Sequence, residues 1–328
     1  MSKVNFIKSF VVFGFLVAAA EIGWAAEKTP MQFGFAKVDI TPTEPVRLSG
    51  YGNRTKPFAG IDERIFARVM ALRHGPGKVH LLVAVDTIGF PGYLTKQIYA
   101  ELEKKHGISR AQFALCGTHS HTTPHLDLLN MINLYALPLK AEEKAATRRY
   151  GEMISALIVK ACGEAIADLQ PGKMFTAQGK ATFAVNRRTI DKNGKYLSMR
   201  PNPGGSVDHS VPILKITDPS GKVVRGIVFN YACHCTTFTG KHNRINGDWA
   251  GYATKNVEAA YPDVIALCTI GCGADANPER ATGRDLEVAQ LQGKELSDEV
   301  LRLAKEPMTE ITAKVQSNFS YEIGRAHV

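Results

Sequence analysis

Two histidines separated by a single residue, His119 and His121, follow a short apolar stretch at residues 112–116. In an extended backbone, residues two positions apart point to the same side, so both imidazoles can face one cavity at the end of a strand. Imidazole is the commonest metal-binding side chain, and a catalytic zinc ion needs about three protein ligands plus a position for water. The pair therefore indicates a metal centre, with two structural histidines as the alternative.

A third histidine, His234, lies between two cysteines at the end of the apolar stretch 224–232. Thiolates and imidazoles together are typical of structural zinc sites, but such sites use ligands in spaced pairs, and the sequence offers only this one cluster. Alternation along an extended chain places Cys233 and Cys235 on the side opposite His234. We interpret His234 as a metal ligand and the cysteines as core residues, and a cysteine-containing site is the alternative.

Polar residues follow several of the apolar stretches, and loops at strand ends are where α/β proteins carry their chemistry. These residues are Asp86, Thr87, Asn186, Arg187, Asn246, Asp248, Asp275 and Asn277. Some of them also have a structural interpretation. Asp248 begins a helical pattern and is a candidate helix N-cap, whereas Asp275 and Asn277 are also common turn residues.

The elements that must position these side chains alternate between apolar stretches of period two and longer stretches of helical period. Strands are predicted at residues 33–40, 65–72, 79–85, 112–116, 175–185, 211–216, 224–231 and 264–270. Helices are predicted at residues 93–105, 141–169, 249–260 and 286–304. Segments rich in glycine and proline at 49–60 and 201–205 predict loops of functional length. The pattern is that of a single α/β domain.

Composition excludes several classes of protein. The chain has 328 residues, of which 45% are hydrophobic and 22% charged, as in an ordinary globular domain. Its net charge is +9, but basic residues occur only in short pairs, so we expect no nucleic-acid partner. Contact with an anionic membrane surface is compatible with this charge, although a generally solvated basic surface explains it more simply. The six cysteines are sparse and lie in apolar segments, which predicts buried free thiols.

Both ends of the chain carry signals of processing. Lys3 and Lys8 precede an apolar run at 10–20 and small residues at 23 and 25, which predicts a signal peptide at 1–25 and a secreted or periplasmic protein. An uncleaved anchor is the alternative. Residues 322–328 resemble the translation of a sequencing adapter, so we expect a non-native tail there, with a genuine terminus as the alternative. The folded domain is then expected at residues 26–321.

Taken in order, the motifs resemble the N-terminal catalytic domain of neutral (alkaline, non-lysosomal) ceramidases. The Gly-Thr-His-Ser-His sequence at 117–121 resembles the family's Gly-Thr-His-Thr-His. Further matching elements lie at 36–42, 50–52, 67–68, 186–187, 230–236 and 246–253. The resemblance covers most of the chain after the signal peptide. It implies a layered αββα-type fold with mixed β-sheets flanked by helices.

The resemblance also implies roles for individual residues. His119 and His234 would be zinc ligands, His121 would bind or polarise the substrate, and Arg187 would contact the substrate or its developing charge. The family's other two zinc ligands, a Glu and a Tyr, come from a region beyond the point where this chain stops, so an incomplete domain is expected. Asp248, Asp275 and Asn277 are then candidate substrate-binding residues. The cofactor expected is Zn²⁺, and the substrate is a small-molecule or lipid amide.

One position departs from the family pattern. The family's Gly-Asp-Val-Ser-Pro-Asn segment appears here as the sequence Ala-Asp-Ala-Asn-Pro at 274–278, which puts Asn277 where the resemblance implies a serine nucleophile. Asparagine cannot form an acyl-enzyme, whereas a zinc-activated water needs no serine. We therefore predict a zinc-dependent hydrolase of N-acyl amides. The alternatives are a noncatalytic exported binding protein of the same fold and a metal-dependent esterase or carbohydrate-directed hydrolase, and the sequence leaves the oligomeric state open.

Overall fold

A computed structural model of the chain describes residues 30–126, 139–279 and 284–321. The predicted signal peptide at 1–25 and the predicted tail at 322–328 lie outside these residues, and both stay predictions. Among the described residues, no helix combines the length and the apolar character needed to cross a bilayer.

The described residues contain four α-helices and thirteen β-strands, together with one short 3-10 turn at Arg110–Gln112. The helices are α1 (Gly92–His106), α2 (Ala141–Ala167), α3 (Asp248–Ala260) and α4 (Asp285–Lys305). The first strands are β1 (Met31–Asp39), β2 (Phe66–His74), β3 (Val79–Val85), β4 (Phe113–Gly117), β5 (Gln170–Lys180), β6 (Ala184–Asn186) and β7 (Arg188–Ile190). The remaining strands are β8 (Tyr196–Met199), β9 (Ser210–Thr217), β10 (Val224–Tyr231), β11 (Ile265–Ile270), β12 (Ala276–Pro278) and β13 (Thr309–Ile311).

Nine of these strands form one mixed sheet in the order β11-β10-β9-β5-β1-β2-β3-β4, with β13 paired to β5. Only the pairs β3/β4 and β10/β11 are parallel. A helix lies between the two strands of each parallel pair, as parallel pairing requires, α1 in the first and α3 in the second. As a result, the ends of β4 and β10 are the carboxyl edges of two βαβ units. Two further pairs, β12/β6 and β7/β8, form small two-stranded sheets.

The large sheet folds over on itself, so that its two halves pack face to face. A core of buried side chains lies between the halves and includes Phe33, Met70, Ile216 and Leu267. A second core joins the β1–β4 half to α1 and α2, and a third joins the β9–β11 half to α3 and α4. The layers therefore run helix, sheet, sheet, helix, which confirms the predicted fold class.

All four predicted helices are present within two residues of their predicted ends. The predicted strand at 175–185 is divided between β5 and β6, because the chain leaves the large sheet after Lys180. The hairpin β7/β8 and the short strands β12 and β13 were not predicted. They have only three or four residues each, too few for a periodic pattern.

The six cysteines form no disulfide. Cys162, Cys233, Cys235 and Cys268 are buried, as predicted, whereas Cys116 is partly buried and Cys272 is exposed. Burial raises the pKa of Cys235 well above its ordinary value, which keeps that thiol protonated. Cys233 and Cys235 belong to the core beneath α3 and α4, as expected for small apolar side chains.

Candidate metal centre

His119 lies in a turn that follows β4 directly. The backbone N–H of Thr118 donates to Val85 O at 2.9 Å and that of His119 donates to Thr87 O at 2.8 Å. These bonds tie the end of β4 to the end of β3. His119 itself has a φ of 61°, a left-handed conformation that is uncommon for a residue with a side chain. Such backbone strain persists where surrounding contacts enforce it, and it is frequent at functional sites.

His234 follows β10 and is held from three directions. Its N–H donates to Ala276 O at 3.0 Å, and its carbonyl accepts from Trp249 Nε1 at 2.9 Å. The following residue, Cys235, forms a parallel bridge with Ser120 and accepts from His121 N at 3.2 Å. This bridge joins the loops after β4 and β10 across the two halves of the folded sheet.

The three histidines meet at this junction. Ring centroids are 4.6 Å apart for His119 and His234, 5.0 Å for His119 and His121, and 5.9 Å for His121 and His234. One nitrogen from each ring can be chosen so that all three lie within 4.8 Å of one another. The structure thus brings together the two predicted ligands and the predicted substrate-polarising histidine in one cluster.

In His119 and His234, hydrogen bonds determine which ring nitrogen is available to bind a metal ion. His119 Nδ1 lies 2.7 Å from Ile88 O, and His234 Nδ1 lies 2.7 Å from Gly273 O. A carbonyl oxygen only accepts, so in both neutral rings the proton must be on Nδ1 and the lone pair on Nε2. Metal-binding histidines are commonly oriented by such a bond from the opposite ring nitrogen. His119 and His234 therefore have the tautomer and orientation of metal ligands.

Electrostatics keep all three rings neutral at pH 7. Burial lowers the pKa of His119, with the charge of Arg187 acting in the same direction. Burial, reinforced by His119 and Arg187, lowers the pKa of His234 to about 4. Burial and the neighbouring histidines lower the pKa of His121 to about 2. A neutral imidazole is the form that binds a metal ion, so no proton has to be displaced first.

His121 differs from the other two histidines. Both of its ring nitrogens are buried and have no hydrogen-bond partner among the described residues. Its ring packs edge-on against Tyr51 at 5.1 Å, and a Cβ on Gly50 would lie only 2.4 Å from its Cγ and Nδ1. Gly50 also has a φ of +88°, which favours glycine. The absence of a side chain at Gly50 makes the space that the His121 ring fills.

Arg54 holds the loop on which His121 lies. Its guanidinium is buried and donates to the carbonyl oxygens of His121 and of Ser49, the latter at 2.5 Å. It also donates to His242 O at 2.8 Å and lies over the ring of Tyr51, 4.9 Å from the centroid. One cation therefore joins three loops around the cluster, and charged donors of this kind make stronger bonds than neutral ones.

Arg187 lies beside the histidines, between β6 and β7. Its backbone N–H donates to Asp275 O at 2.7 Å and its Nε donates to Ala274 O at 3.0 Å. Nη1 donates at 3.1 Å to Asn277 Oδ1, which also accepts from Thr236 at 3.2 Å. Arg187 is therefore a fixed positive charge, close enough to lower the pKa of both His119 and His234.

The structure places the three candidate substrate-binding residues differently. Asn277 contacts Arg187 through its side chain, whereas Asp275 contacts it through its backbone carbonyl. Asp248 is fully buried, and its carboxylate accepts from Thr237 N at 3.1 Å and Trp249 N at 2.7 Å. Its oxygens organise the start of α3 and the loop after Cys235, because both accept backbone N–H groups there. Substrate binding by Asp248 stays a prediction.

Three residues at the cluster were not among the predicted site residues: Gly50, Tyr51 and Arg54. The sequence did mark 49–60 as a loop of functional length and 50–52 as a family element. No local pattern indicates, however, that this loop packs against His121. That contact joins segments about seventy residues apart in the sequence, as the Arg54 bond to His121 O illustrates.

The residues present fit a zinc ion. Two Nε2 lone pairs are directed by carbonyl-bonded Nδ1–H groups, and a third imidazole has buried nitrogens without partners. Imidazole suits zinc, copper, iron and nickel, and zinc is common in sites of three protein ligands with an open position. Among the described residues, this is the one group of three or more His, Cys, Asp or Glu side chains arranged to hold a metal ion.

Fold and site together define an α/β protein of αββα layers with a three-histidine centre at the junction of its sheet halves. The family of this protein follows from comparison with known sequences. A family model described as neutral/alkaline non-lysosomal ceramidase, N-terminal, matches residues 31–321, and the chain belongs to that family.

Curated relatives are themselves described as neutral ceramidases. The protein from Pseudomonas aeruginosa is 27% identical over 244 residues, which cover 71% of this chain and 34% of the relative. The protein from Drosophila pseudoobscura pseudoobscura is 24% identical, with 93% of this chain and 48% of the relative covered. The chain thus spans between about a third and about half of the length of these relatives.

Solved structures agree on the fold. The crystal structure of neutral ceramidase from Pseudomonas aeruginosa has a TM-score of 0.71 at 21% identity, covering 87% of this chain and 46% of that chain. A ceramidase complexed with C2 gives the same TM-score of 0.71 at 22% identity. At this level of identity, the likeness establishes the αββα architecture.

Proposed function

We propose that the chain carries the centre of a zinc-dependent hydrolase that cleaves an N-acyl amide bond, with a ceramide-like lipid amide as substrate. The observation that carries this proposal is the matched pair His119 and His234, whose Nδ1 atoms each lie 2.7 Å from a backbone carbonyl, which leaves the Nε2 lone pairs free, and whose rings each offer a nitrogen within 4.8 Å of the other and of His121. Membership of the ceramidase family and the neutral ceramidases among its relatives support the choice of an amide.

His119 and His234 would hold the ion through Nε2. A zinc ion bound there would supply a Lewis acid that polarises the scissile carbonyl and lowers the pKa of a water molecule toward 7. Ile88 and Gly273 fix both rings through their carbonyl oxygens, so the two ligands need no rearrangement on binding. The resemblance to the family implies two further zinc ligands, a Glu and a Tyr.

His121 and Arg187 would act on the substrate. Within the described part of the chain, no hydrogen bond of normal geometry orients the His121 ring, unlike the other two rings, and one of its buried nitrogens lies within 4.8 Å of theirs. It is therefore suited to contact the amide or the attacking water. Arg187 presents a fixed positive charge, and such a charge stabilises the negative charge that develops on the carbonyl oxygen.

Asn277 favours a route without an acyl-enzyme. Its Oδ1 accepts from Arg187 and from Thr236, so this side chain holds the cation in place. An amide side chain cannot serve as the nucleophile. Water attack is then the step, and Asn277 is a positioning residue. Asp275 supports the same cation through its backbone carbonyl.

Hydrolysis of a short-chain N-acylsphingosine by the full-length protein, which includes the Glu and the Tyr that the family resemblance implies, tests the proposal, with release of the fatty acid as the readout. We expect activity that a chelator abolishes and zinc restores. His119→Ala should abolish it, whereas His106→Ala, at the exposed end of α1, should leave it unchanged. Activity that survives chelation, or that is confined to esters or sugars, would contradict the proposal. Zinc binding without hydrolysis of any amide would identify a noncatalytic binding protein instead.

A further inference from the structure

The hairpin β7/β8 carries an unusual concentration of exposed apolar side chains. Nine large hydrophobic residues of the described chain are exposed, and four of them lie on this hairpin. They are Ile190 (53% exposed), Tyr196 (50%), Leu197 (58%) and Met199 (60%). Single exposed apolar residues need no explanation, but a contiguous group indicates a surface that contacts something.

Pairing in the hairpin gathers these side chains on one face. Ile190 pairs with Tyr196, and Met199 pairs with Arg188. Paired residues share a face, and so do residues two apart along a strand, which puts Ile190, Leu197 and Met199 on the face of Arg188. A shift in register between Thr189 and Ile190 interrupts the alternation and sets Tyr196 opposite Ile190 on the same face. Thr189 and Ser198 pair on the opposite face and are partly buried against the protein. The apolar face is therefore the outer one.

The hairpin is also firmly built. Its turn is closed by Asp191, whose Oδ1 accepts from the N–H groups of Asn193 and Lys195 at 2.9 Å. At its base, Asn202 Nδ2 donates to Arg188 O at 3.0 Å, and Arg188 N donates to Asn186 Oδ1 at 2.9 Å. A hairpin fixed at both ends can present its apolar face without ordering a loose segment first.

Four cations surround the apolar face. Arg188, Lys192, Lys195 and Arg200 are all exposed, and none of them forms an ion pair within the part of the chain that the structure describes. The one acidic residue between the strands, Asp191, turns its carboxylate oxygen toward the backbone of the turn. The hairpin thus combines an apolar face with four cations, and Asp191 is its one acidic side chain.

We infer that the β7/β8 hairpin is a docking surface for an anionic lipid bilayer. Apolar side chains enter the boundary between head groups and acyl chains, and Lys and Arg side chains bind anionic head groups at that level. Tyr196 has the amphipathic ring that is enriched at this depth. A second copy of the same face would set eight cations opposite one another, so like-charge repulsion opposes self-association through the hairpin.

This inference deepens the proposed function, and it rests on that function only for the identity of the lipid that is cleaved. Arg187, beside the histidine cluster, immediately precedes β7 in the chain. The same segment therefore reaches from the site to the membrane-docking face, and a lipid amide leaving the bilayer at the hairpin would arrive next to Arg187.

Binding of the whole chain to vesicles, followed by flotation or sedimentation, tests the inference. The probes are vesicles of pure phosphatidylcholine and vesicles in which about a third of the lipid is phosphatidylglycerol. We expect strong preference for the anionic vesicles and weaker binding at high salt. Removing two cations with Lys192→Gln/Lys195→Gln should lower partitioning about 25-fold, since each basic residue near an anionic surface contributes a factor of about five. Replacing the apolar residues by Ile190→Ser/Leu197→Ser/Met199→Ser should lower it at least about ten-fold.

Matched controls distinguish an effect of the hairpin on vesicle binding from an effect of net charge or exposed apolar area anywhere on the surface. Lys104→Gln/Lys144→Gln removes two exposed lysines from α1 and α2, and Val223→Ser/Leu286→Ser/Leu291→Ser removes three exposed apolar residues elsewhere. Both controls should bind vesicles like the unmodified chain. Equal losses in controls and hairpin variants, equal binding to neutral vesicles, or a hairpin-dependent dimer that ignores lipid would each overturn the inference.

Hydrolysis of a water-soluble short-chain amide, measured for the same variants, distinguishes failure of the docking surface from failure of the proposed function. The hairpin variants should hydrolyse such a substrate at the rate of the unmodified chain. Normal hydrolysis without vesicle binding would overturn the docking surface alone. Vesicle binding without amide hydrolysis would overturn the proposed function alone.

Discussion

The imidazole rings of His119 and His234 stand 4.6 Å apart and 80° from parallel, although the two residues follow strands on opposite halves of the folded sheet. Each ring donates its Nδ1 proton to a carbonyl oxygen of the loop beside it. The relationship depends on the fold as a whole, because the Ser120–Cys235 bridge that joins the two loops exists only when the sheet closes on itself. A site built in this way has its ligand geometry set before an ion arrives.

Gly50→Ala tests whether the packing of His121 matters for catalysis. The new Cβ would lie 2.4 Å from the ring at a φ of +88°, so the ring or the loop must move. A displacement of about 1 Å can cost about 100-fold in rate, and we expect a loss of at least about ten-fold in hydrolysis. Gly92→Ala is the matched control, because a Cβ there meets no atom within 4 Å. Equal activity in the two variants would contradict the role assigned to Gly50.

Asn277→Ser tests whether a serine is needed. With water as the nucleophile, this variant and Asn277→Ala should both lose activity by a similar factor of a few, since both remove the oxygen that accepts from Arg187. The measurement compares kcat/KM of the two variants and the unmodified chain on one short-chain amide. A serine variant far more active than both others would show that an acyl-enzyme route is faster here, and it would count against the proposed role of Asn277.

Acid should weaken the attachment of α2 through Glu143. Burial raises the pKa of Glu143, but the bond from Arg47 and the N–H of Lys140 outweigh burial, so the pKa lies below its ordinary value. A depressed carboxyl pKa contributes stability that is present above the unfolded pKa of about 4.3 and is lost as pH falls through the folded pKa. Glu143→Gln should therefore cost about 2–4 kcal/mol at pH 7, because Arg47 stays buried without its carboxylate.

Urea unfolding at pH 7, 5 and 3 measures this effect, and the difference between Glu143→Gln and the unmodified chain should shrink toward pH 3. Glu44→Gln is the control, since Glu44 pairs with Arg149 on the exposed surface and should change unfolding little at any pH. A difference for Glu143→Gln that is constant across the range would mean that packing, and not charge, links Arg47 to α2.

The layers of the fold could be predicted from the sequence because the two strand–helix–strand units with parallel strands have strong local patterns. The strand–helix–strand runs of β3-α1-β4 and β10-α3-β11 are long and periodic, so their ends could be located and their following loops recognised as candidate sites. His119, His121 and His234 were found in this way, whereas Arg187 was found at the end of the predicted strand at 175–185.

Other features could not be predicted, for physical reasons. An extended backbone predicts that His119 and His121 point to the same side. Instead, His119 has a left-handed φ of 61°, and the two rings converge through a turn. Gly50 and Arg54 act across the fold on His121, and no local pattern encodes such a contact. Asp248 is the first residue of α3 and Gly247 is its N-cap, a shift of one residue that sequence patterns do not resolve.

Zinc binding to the purified full-length protein, with the further Glu and Tyr ligands that the family resemblance implies, tests the central claim most directly. Competition with a chelating dye measures the affinity, and the variants are His119→Ala, His234→Ala and His121→Ala, with His106→Ala as control. We expect about one zinc per chain, a loss of at least about 100-fold in affinity for the first two variants, and at most about ten-fold for His121→Ala. Zinc that stays bound with unchanged affinity in both His119→Ala and His234→Ala would contradict the account.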